Sequence, residues 1–418
     1  MKYNKIELQK GRALAEMSLF EPDGKLPEYH IIIHVTERML RFDAQKEVLV
    51  AAYEELINEH RPQLLPLFKR YFMSDITNQI GSVKISEAAF PEKLRCATSY
   101  IGQPPLDGCK ISLWVYCVSG GERKNSIYTL RSGVPLQEIP TSTAEPAISD
   151  ESAHTAIQYA EETCFEHNGY THMWSGGLEC CGGDSADQTM QLLNTYEEHL
   201  LETEATLKDN CIRTWFFVQN VDVNYAGVVK ARKANFLTQG LTENTHYIAS
   251  TGIEGKSADA RTLVHLDAYS LTGIESGQQQ YLYAPTHLNP TYEYGVTFER
   301  GVRVKYGDRS HIYISGTASI DNKGQVMYKG DIEAQTRRMW ENVSTLLREG
   351  GATFADVAKM LIYLRDVADY KTVRKMFDIQ FPDTPKEYLL APVCRPAWLI
   401  EMECVAITED TNKEYRDL

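Results

Sequence analysis

The nine cysteines include no CxxC pair and are odd in number, so neither a disulfide framework nor a paired-cysteine zinc site is expected. The vicinal Cys180 and Cys181 read as small buried apolar residues. No apolar run reaches membrane-spanning length, and the opening MKYNKIELQKGRALAEM lacks the apolar core of a signal peptide. A cytoplasmic location without a membrane partner is the expectation. Positive charge is in deficit: 43 Lys and Arg stand against 57 Asp and Glu, a net charge of −14. That balance argues against a nucleic-acid partner, which calls for a basic face. It leaves room for a small anionic substrate, because a few arginines in a cleft can oppose the field of the whole molecule. A metal-ligand pattern is missing too. His30 and His34 in HIIIH are four apart, but the β-branched residues between them point to a strand rather than a helix. No metal and no other cofactor is expected.

What the chain does have is an internal repeat. Its 418 residues suffice for two to three domains, and 43% hydrophobic with 24% charged residues is the composition of an ordinary globular protein. Three amphipathic helices are predicted: DAQKEVLVAAYEELINEH from Asp43, DQTMQLLNTYEEHLLETEATL from Asp187 and DIEAQTRRMWENVSTLLREGG from Asp331. Each starts 144 residues after the one before. A buried-looking strand follows each, closing at Asp75, Asp222 or Asp366, and a later alternating strand ends each unit: KISLWVYCV, TLVHLDAYSL and WLIEMECVAI. This order predicts an α+β fold, with helices on one face of a mixed sheet in every unit. Unit one spans 27–120, unit two 165–272 and unit three 292–408. The Pro/Ser/Thr-rich, acidic stretch 134–153 reads as the connection between units one and two, and 272–290 as the connection before unit three. Unit one shows no polar constellation. Its SDITNQIG is a turn and cap, its GQPPLDGCK a rigid loop, and its role is expected to be structural.

The stretch ISGTASIDNKGQVMYKGDIEAQTRRMWENVSTLLREGGATFADVAKMLIYLRD and the later WLIEMECVAI hold Gly316, Gln335, Asn342, Asp366, Glu401 and Glu403. Their order is a glycine-bearing strand, a helix with Gln then Asn, a strand ending in Asp, and a final E-x-E strand. In this unit three resembles the Rid (YjgF-like) family. Members are typically homotrimers with active sites between subunits, so three units on one chain imply a covalent pseudo-trimer with a cleft between unit three and a neighbour. A closer resemblance, over the C-terminal half, is to the chorismatase family, through IRTWFFVQNVD, ASTGIEG, VTFERG, ISGTASI and VCRPAWLIEMEC. Chorismatases act on chorismate with release of pyruvate, on Rid-like domains, without metal or cofactor. The resemblance implies Glu401 as catalytic acid, and matches Cys394 and Gly301 to the residues of members that make 3-hydroxybenzoate. There are departures. In ARKANFLTQGL, Lys233 and Leu241 stand where the family has Tyr and Arg, and Lys386 stands where Rid imine hydrolases carry an arginine for the substrate carboxylate.

The residues themselves support related chemistry. In WLIEMECVAI a period of two puts Glu401 and Glu403 on one face. Such carboxylates either face solvent or sit in an apolar cleft, where desolvation raises the pKa and makes a general acid. Pyruvate release from an enol ether needs an acid of that kind, to protonate the methylene carbon. Cys394 is either a small core residue or a nucleophile toward the ring. The small-residue kink SGTAS lets backbone approach a bound acid, and the N–H groups of Gly316 and Thr317 can hold a carboxylate. Thr251 and Gly252 offer a matching cradle from unit two. Arg300 of TFERG is the first candidate for a bidentate carboxylate clamp, with Arg213 and Arg395 next, each weighed against a surface ion pair. Gly301 leaves room beside the ring or serves a turn. The expected function is a chorismatase-like hydrolase or lyase that makes pyruvate and a hydroxybenzoate-type acid. The alternatives are a Rid-type enamine or imine deaminase and a non-catalytic small-molecule binder. The expected assembly is a monomer with an internal pseudo-trimer, or a homo-oligomer of it.

Overall fold

The apolar runs pair into three six-stranded sheets in the computed structural model, which describes residues 1–130 and 158–418. Sheet one holds β1 (Lys2–Leu8), β2 (Ala13–Phe20), β3 (Glu28–Val35), β4 (Leu64–Met73), β5 (Ala97–Ile101) and β6 (Ile111–Ser119). Sheet two holds β7 (Glu122–Leu130), β8 (Gln158–His167), β9 (Tyr170–Glu179), β10 (Cys211–Val218), β11 (Ala249–Glu254) and β12 (Val264–Thr272). Sheet three holds β13 (Gln279–Leu282), β14 (Gly301–Lys305), β15 (Arg309–Ala318), β16 (Val357–Leu364), β17 (Lys386–Leu390) and β18 (Ile400–Glu409). All three share one strand order, first-second-third-sixth-fourth-fifth, with only the fourth and fifth strands parallel. Each also has a bulge at the same place, where the fourth strand meets the sixth: Pro66/Phe68, Cys211/Arg213 and Val357/Lys359. The units are three copies of one α+β fold.

A long helix joins the third and fourth strands of each unit (Phe42–Glu55, Ser185–Leu201, Ile332–Glu349), and a second joins the fourth and fifth (Ile76–Ala89, Val221–Thr238, Tyr370–Gln380). Aspartates set two of the long-helix starts. Asp184 accepts from the backbone of Ala186 and Asp187 in a capping box, and Asp331 accepts from Ala334. The apolar stripe of each helix then covers one face of its own sheet, as Leu192, Leu193 and Tyr196 do in unit two. The opposite sheet faces converge on the centre, where Phe68, Trp114, Trp174, Trp215, Tyr269 and Tyr313 belong to one buried cluster. Trp174 stacks on Tyr269 at 4.3 Å, and Trp114 meets Trp215 at 6.5 Å across the seam of units one and two. Each such side chain contributes ~1.5–3 kcal/mol over leaving it exposed. With both faces covered, CIRTWFFV and VAKMLIYL are buried at every position, hence their mostly apolar character, broken by the buried Arg213, Thr214 and Lys359.

The sheets extend beyond the units expected from sequence. β1 and β2 precede residue 27. β7 and β8 pair with each other, so the stretch 134–153, which lies outside the described residues, joins two strands of unit two rather than units one and two. The expected connector 272–290 contains β13. The missed β1, β7 and β13 are all sheet edges. An edge strand is paired on one side and tolerates polar sequences such as KYNKIEL and ERKNSIYTL, so its apolar signal is weak. HIIIH lies in β3, a strand. No helix among the described residues is long and apolar enough to cross a membrane.

Candidate active site

β15 bulges between Ile314 and Thr317 against β18, and the edge strand β11 of unit two closes on that bulge. The seam is hydrogen-bonded: Gly316 N–H donates to Thr251 Oγ1 at 2.9 Å, and Ser250 N–H to Ser315 Oγ at 2.9 Å. Gly316 is required for contact reasons. A Cβ there would collide with the Glu401 carboxyl and press on the Thr251 methyl group at 3.1 Å. Its small size admits an acid to the backbone. Its N–H, already given to Thr251, is not left for a substrate carboxylate, contrary to the expectation for the SGTAS kink. Thr317 is buried, and its hydroxyl donates to the Ser315 carbonyl at 2.9 Å.

The two glutamates of β18 meet opposite environments. Glu403 Oε2 accepts from Arg213 Nη2 at 2.9 Å and from Thr251 Oγ1 at 2.6 Å, and its Oε1 accepts from Trp215 Nε1 at 2.9 Å. Burial would raise the Glu403 pKa, but Arg213, Lys359 and Arg70 outweigh it and hold the carboxyl at about 2. Glu401 is 4% exposed, and no hydrogen bond to its carboxyl is found among the described residues. Burial, then the charge of Glu403, push its pKa up to about 8 against the pull of Arg213 and Arg300. At neutral pH Glu401 is a protonated acid beside an ionised partner, the separation that marks an acid-base pair.

Glu401, Gly316, Gly252, Arg300, Arg395 and Cys394 line one cleft between units two and three. Four expected residues do not line it: the buried Thr317, and Arg213, Thr251 and Gly301. Arg213 stands behind, committed to Glu403 and Ser315. Thr251 links Arg213, Gly316 and Glu403 by its hydroxyl. Gly301 lies in β14, where a Cβ would meet the Tyr313 carbonyl at 2.9 Å; it serves strand packing, neither ring space nor a turn. Cys394 is half-buried, and burial together with Glu401 pushes its thiol up to about 12 against Arg395, so it rests protonated. Arg300 donates to the Asn289 carbonyl at 3.0 Å and lies over the Phe298 ring. Arg395 packs on Trp398.

Sequence reasoning missed Arg232, Tyr225 and Trp398, which also line the cleft. Arg232 is buried on the helix Val221–Thr238, donates weakly to Thr297 and Ser250, and its Nη2 has no hydrogen-bond partner among the described residues. It is the arginine of ARKANFLTQGL, where the departures at its neighbours Lys233 and Leu241 obscure the signal. Those neighbours lie elsewhere: Lys233 is exposed and Leu241 sits in the core of unit two. Lys386 is on β17, at the cleft between units three and one; the equivalent register position beside Glu401 is Ser250. Three arginines thus face one protonated carboxyl in a molecule of net charge −14. The free volume is about 30 Å³, enough for a water or two.

Residues 299–408 match the family model of endoribonuclease L-PSP. A RutC family protein of Pyrococcus abyssi is 34% identical over 100 residues, 23% of this chain and 79% of that protein. The chain belongs to the Rid/YjgF family. The 3-aminoacrylate deaminase RutC of Acinetobacter baylyi is also 34% identical, over 97 residues, 23% of this chain and 77% of its own length. Both Rid relatives match over about a quarter of the chain. A solved chorismatase superposes far more broadly, with a TM-score of 0.56 over 82% of this chain and 93% of that one, at 15% identity. At that identity the likeness shows a shared fold: three Rid-like units on one chain.

Proposed function

We propose that the chain is a chorismatase-like enzyme that converts chorismate to pyruvate and a hydroxybenzoate-type acid. The observation that carries this reading is a buried, protonated Glu401 in a cleft lined by Arg232, Arg300 and Arg395. Chorismate carries two carboxylates, and arginine forks suit both. Glu401 delivers its proton to the methylene carbon of the enolpyruvyl ether. The oxocarbenium ion then either breaks its bond to the ring carbon, the ether oxygen leaving as the ketone oxygen of pyruvate, or is captured by water and collapses as a hemiketal to pyruvate and the ring alcohol. General-acid transfer of this kind contributes ~10²–10⁴-fold. Once Glu401 has given its proton it is a carboxylate beside Cys394, able to take a proton back from the ring as it aromatises. The water-free route fits 3-hydroxybenzoate as product, whose atoms together with those of pyruvate equal those of chorismate. Entry requires the cleft to widen, because as shaped it holds little more than water.

The test is to incubate the purified protein with chorismate and follow pyruvate by a coupled assay. Release is expected from the unaltered protein and not from Glu401→Gln. Absence of release above the uncatalysed background rejects the reading. The alternative of an enamine or imine deaminase is supported by the 34% identity of unit three to a 3-aminoacrylate deaminase. Ammonia release from 3-aminoacrylate without pyruvate release from chorismate would decide for it. A third reading, a non-catalytic binder, predicts neither product.

A further inference from the structure

Repetition of the unit makes positions comparable across the three seams. Phe68, Arg213 and Lys359 each follow the bulge of a fourth strand, and Trp114, Asp267 and Glu403 share one position on the sixth strands. Arg213 of unit two reaches Glu403 of unit three at 2.9 Å. Its counterpart Lys359 of unit three meets a tryptophan in unit one where Arg213 meets a carboxylate. The Lys359 ammonium stands 3.5 Å from the centre of the Trp114 ring, over its negative face. Its carboxylate partner among the described residues is Glu403 of its own unit, with Nζ 3.4 Å from Oε1. Lys359 and Trp114 are fully buried, and Glu403 nearly so. Glu403 thus carries a guanidinium from unit two on one oxygen and an ammonium on the other, and that ammonium rests on unit one. Unit one is therefore not purely structural.

Glu401 holds its proton because it is buried and because Glu403 beside it is charged. A cation bonded to Glu403 offsets that charge and loosens the hold. Arg213 does so at every working pH, since a guanidinium keeps its proton. A buried lysine can lose its own. Burial first, then Arg70 and Arg213, act against the charge on Lys359, Glu403 sustains it, and its pKa is brought down to about 7. Lys359 is faced by Glu403 and Cys404 of β18, Arg213 of β10, Arg70 of β4 and His30 of β3. Glu401 is faced by Glu403, Arg213, Arg300, Cys394 and Tyr363. We propose that Lys359 is a positioning residue of the acid pair: its ammonium, held between the unit-one indole and Glu403, governs how tightly Glu401 keeps its proton. This rests on the reading of Glu401 as the acid, yet the tie between the two residues can be measured without chorismate.

Lys359→Met removes the charge at every pH and Lys359→Arg keeps it at every pH. In each background of the full chain, urea midpoints give the stability gap to the double variant that also carries Glu401→Gln, between pH 5 and pH 10. The pH at which this gap stops growing marks the titration of Glu401 in the folded state. It is expected ~1 pH unit lower with arginine than with methionine, the effect of one unit charge inside a protein. Equal values overturn the proposal, because a loss of packing changes stability without moving that pH. The alkaline limb of pyruvate release should follow the same order. A limb that stays fixed while the stability value moves rejects Glu401 as the acid, and with it the positioning role, but not the tie. If a Lys359 variant does not fold, NMR of the ε-13C-lysine-labelled parent and Glu401→Gln still decides. Coupling is reciprocal, so a lysine signal titrating near pH 7 in the parent should titrate at lower pH in Glu401→Gln. Absence of such a signal, or the same midpoint in both proteins, overturns the proposal.

Discussion

The Glu401 cleft and its counterpart between units one and two share strand order, bulge and register, yet hold opposite chemistry. Glu401 and Glu403 pair with Tyr363 and Leu361 of β16; at the same positions β12 places His265 and Asp267 opposite Phe217 and Trp215. There every charge is answered. His265 bonds Glu179 at 2.8 Å and Asp267 at 3.0 Å, and Asp267 receives Arg70 Nη2 at 2.8 Å and the Gly177 N–H at 3.0 Å. Burial works against charge on His265, but Asp267 and Glu179 hold its pKa up at about 9. These paired charges lock two units together. Across the molecule Glu403 plays the Asp267 part with Arg213, while Glu401 is left an unanswered acid. A site with chemistry to do is distinguished here by the bond it does not make.

The largest effect should come from breaking what the two clefts have in common. Arg213→Leu leaves Glu403 buried without its guanidinium, and Arg70→Leu does the same to Asp267. Each is expected to destabilise by ~3–5 kcal/mol, read as a lowered urea midpoint. A loss well under half of that in either would show that the pairs are not equivalent.

Next in size is the response of Glu401 itself. Its folded pKa of about 8 lies above the ordinary 4.5. The folded state therefore holds this proton more tightly than the unfolded chain, and the stability tied to it is full below pH 4.5 and drains away as pH rises through 8. Glu401→Gln removes that drain. The variant should be more stable than the parent by on the order of 2–3 kcal/mol at pH 7, with the gap growing from pH 5 to pH 8 and flat beyond. Thermal melts across that range would show it, and a gap independent of pH would mean that Glu401 is ionised in the folded protein.

Gly316→Ala sharpens the contrast by geometry alone. The added methyl displaces the acid, and a misplacement of that order costs ~10²-fold in turnover. Pyruvate release should fall by this factor in a protein that still unfolds cooperatively. Smallest is His265→Gln in the locked cleft, expected to cost ~1–2 kcal/mol of stability without changing pyruvate release. A change in turnover there would tie the two clefts together functionally.

Much of this was legible in the chain. The 144-residue spacing of Asp43, Asp187 and Asp331 reveals the repeat because helix caps and apolar stripes are local signals. Glu401 stood out because a charge inside an apolar strand is rare. The rest depended on partners far apart in sequence. Nothing local tells that Arg213 turns to Glu403, 190 residues on, rather than to a ligand. Nor could the contact of unit three with unit one be read from unit one, since Glu16 and His34 acquire meaning only when Glu387 is brought beside them.

Tethering three units on one chain also changes what a single substitution can do. In a trimer of identical subunits each replacement arrives in triplicate, so an acid suited to one interface is imposed on the others. Here Ser112, His265 and Glu401 occupy matching positions without sharing a residue type. Division of labour among the interfaces becomes heritable: one can specialise in reaction and another in cohesion, each free of the compromises of symmetry.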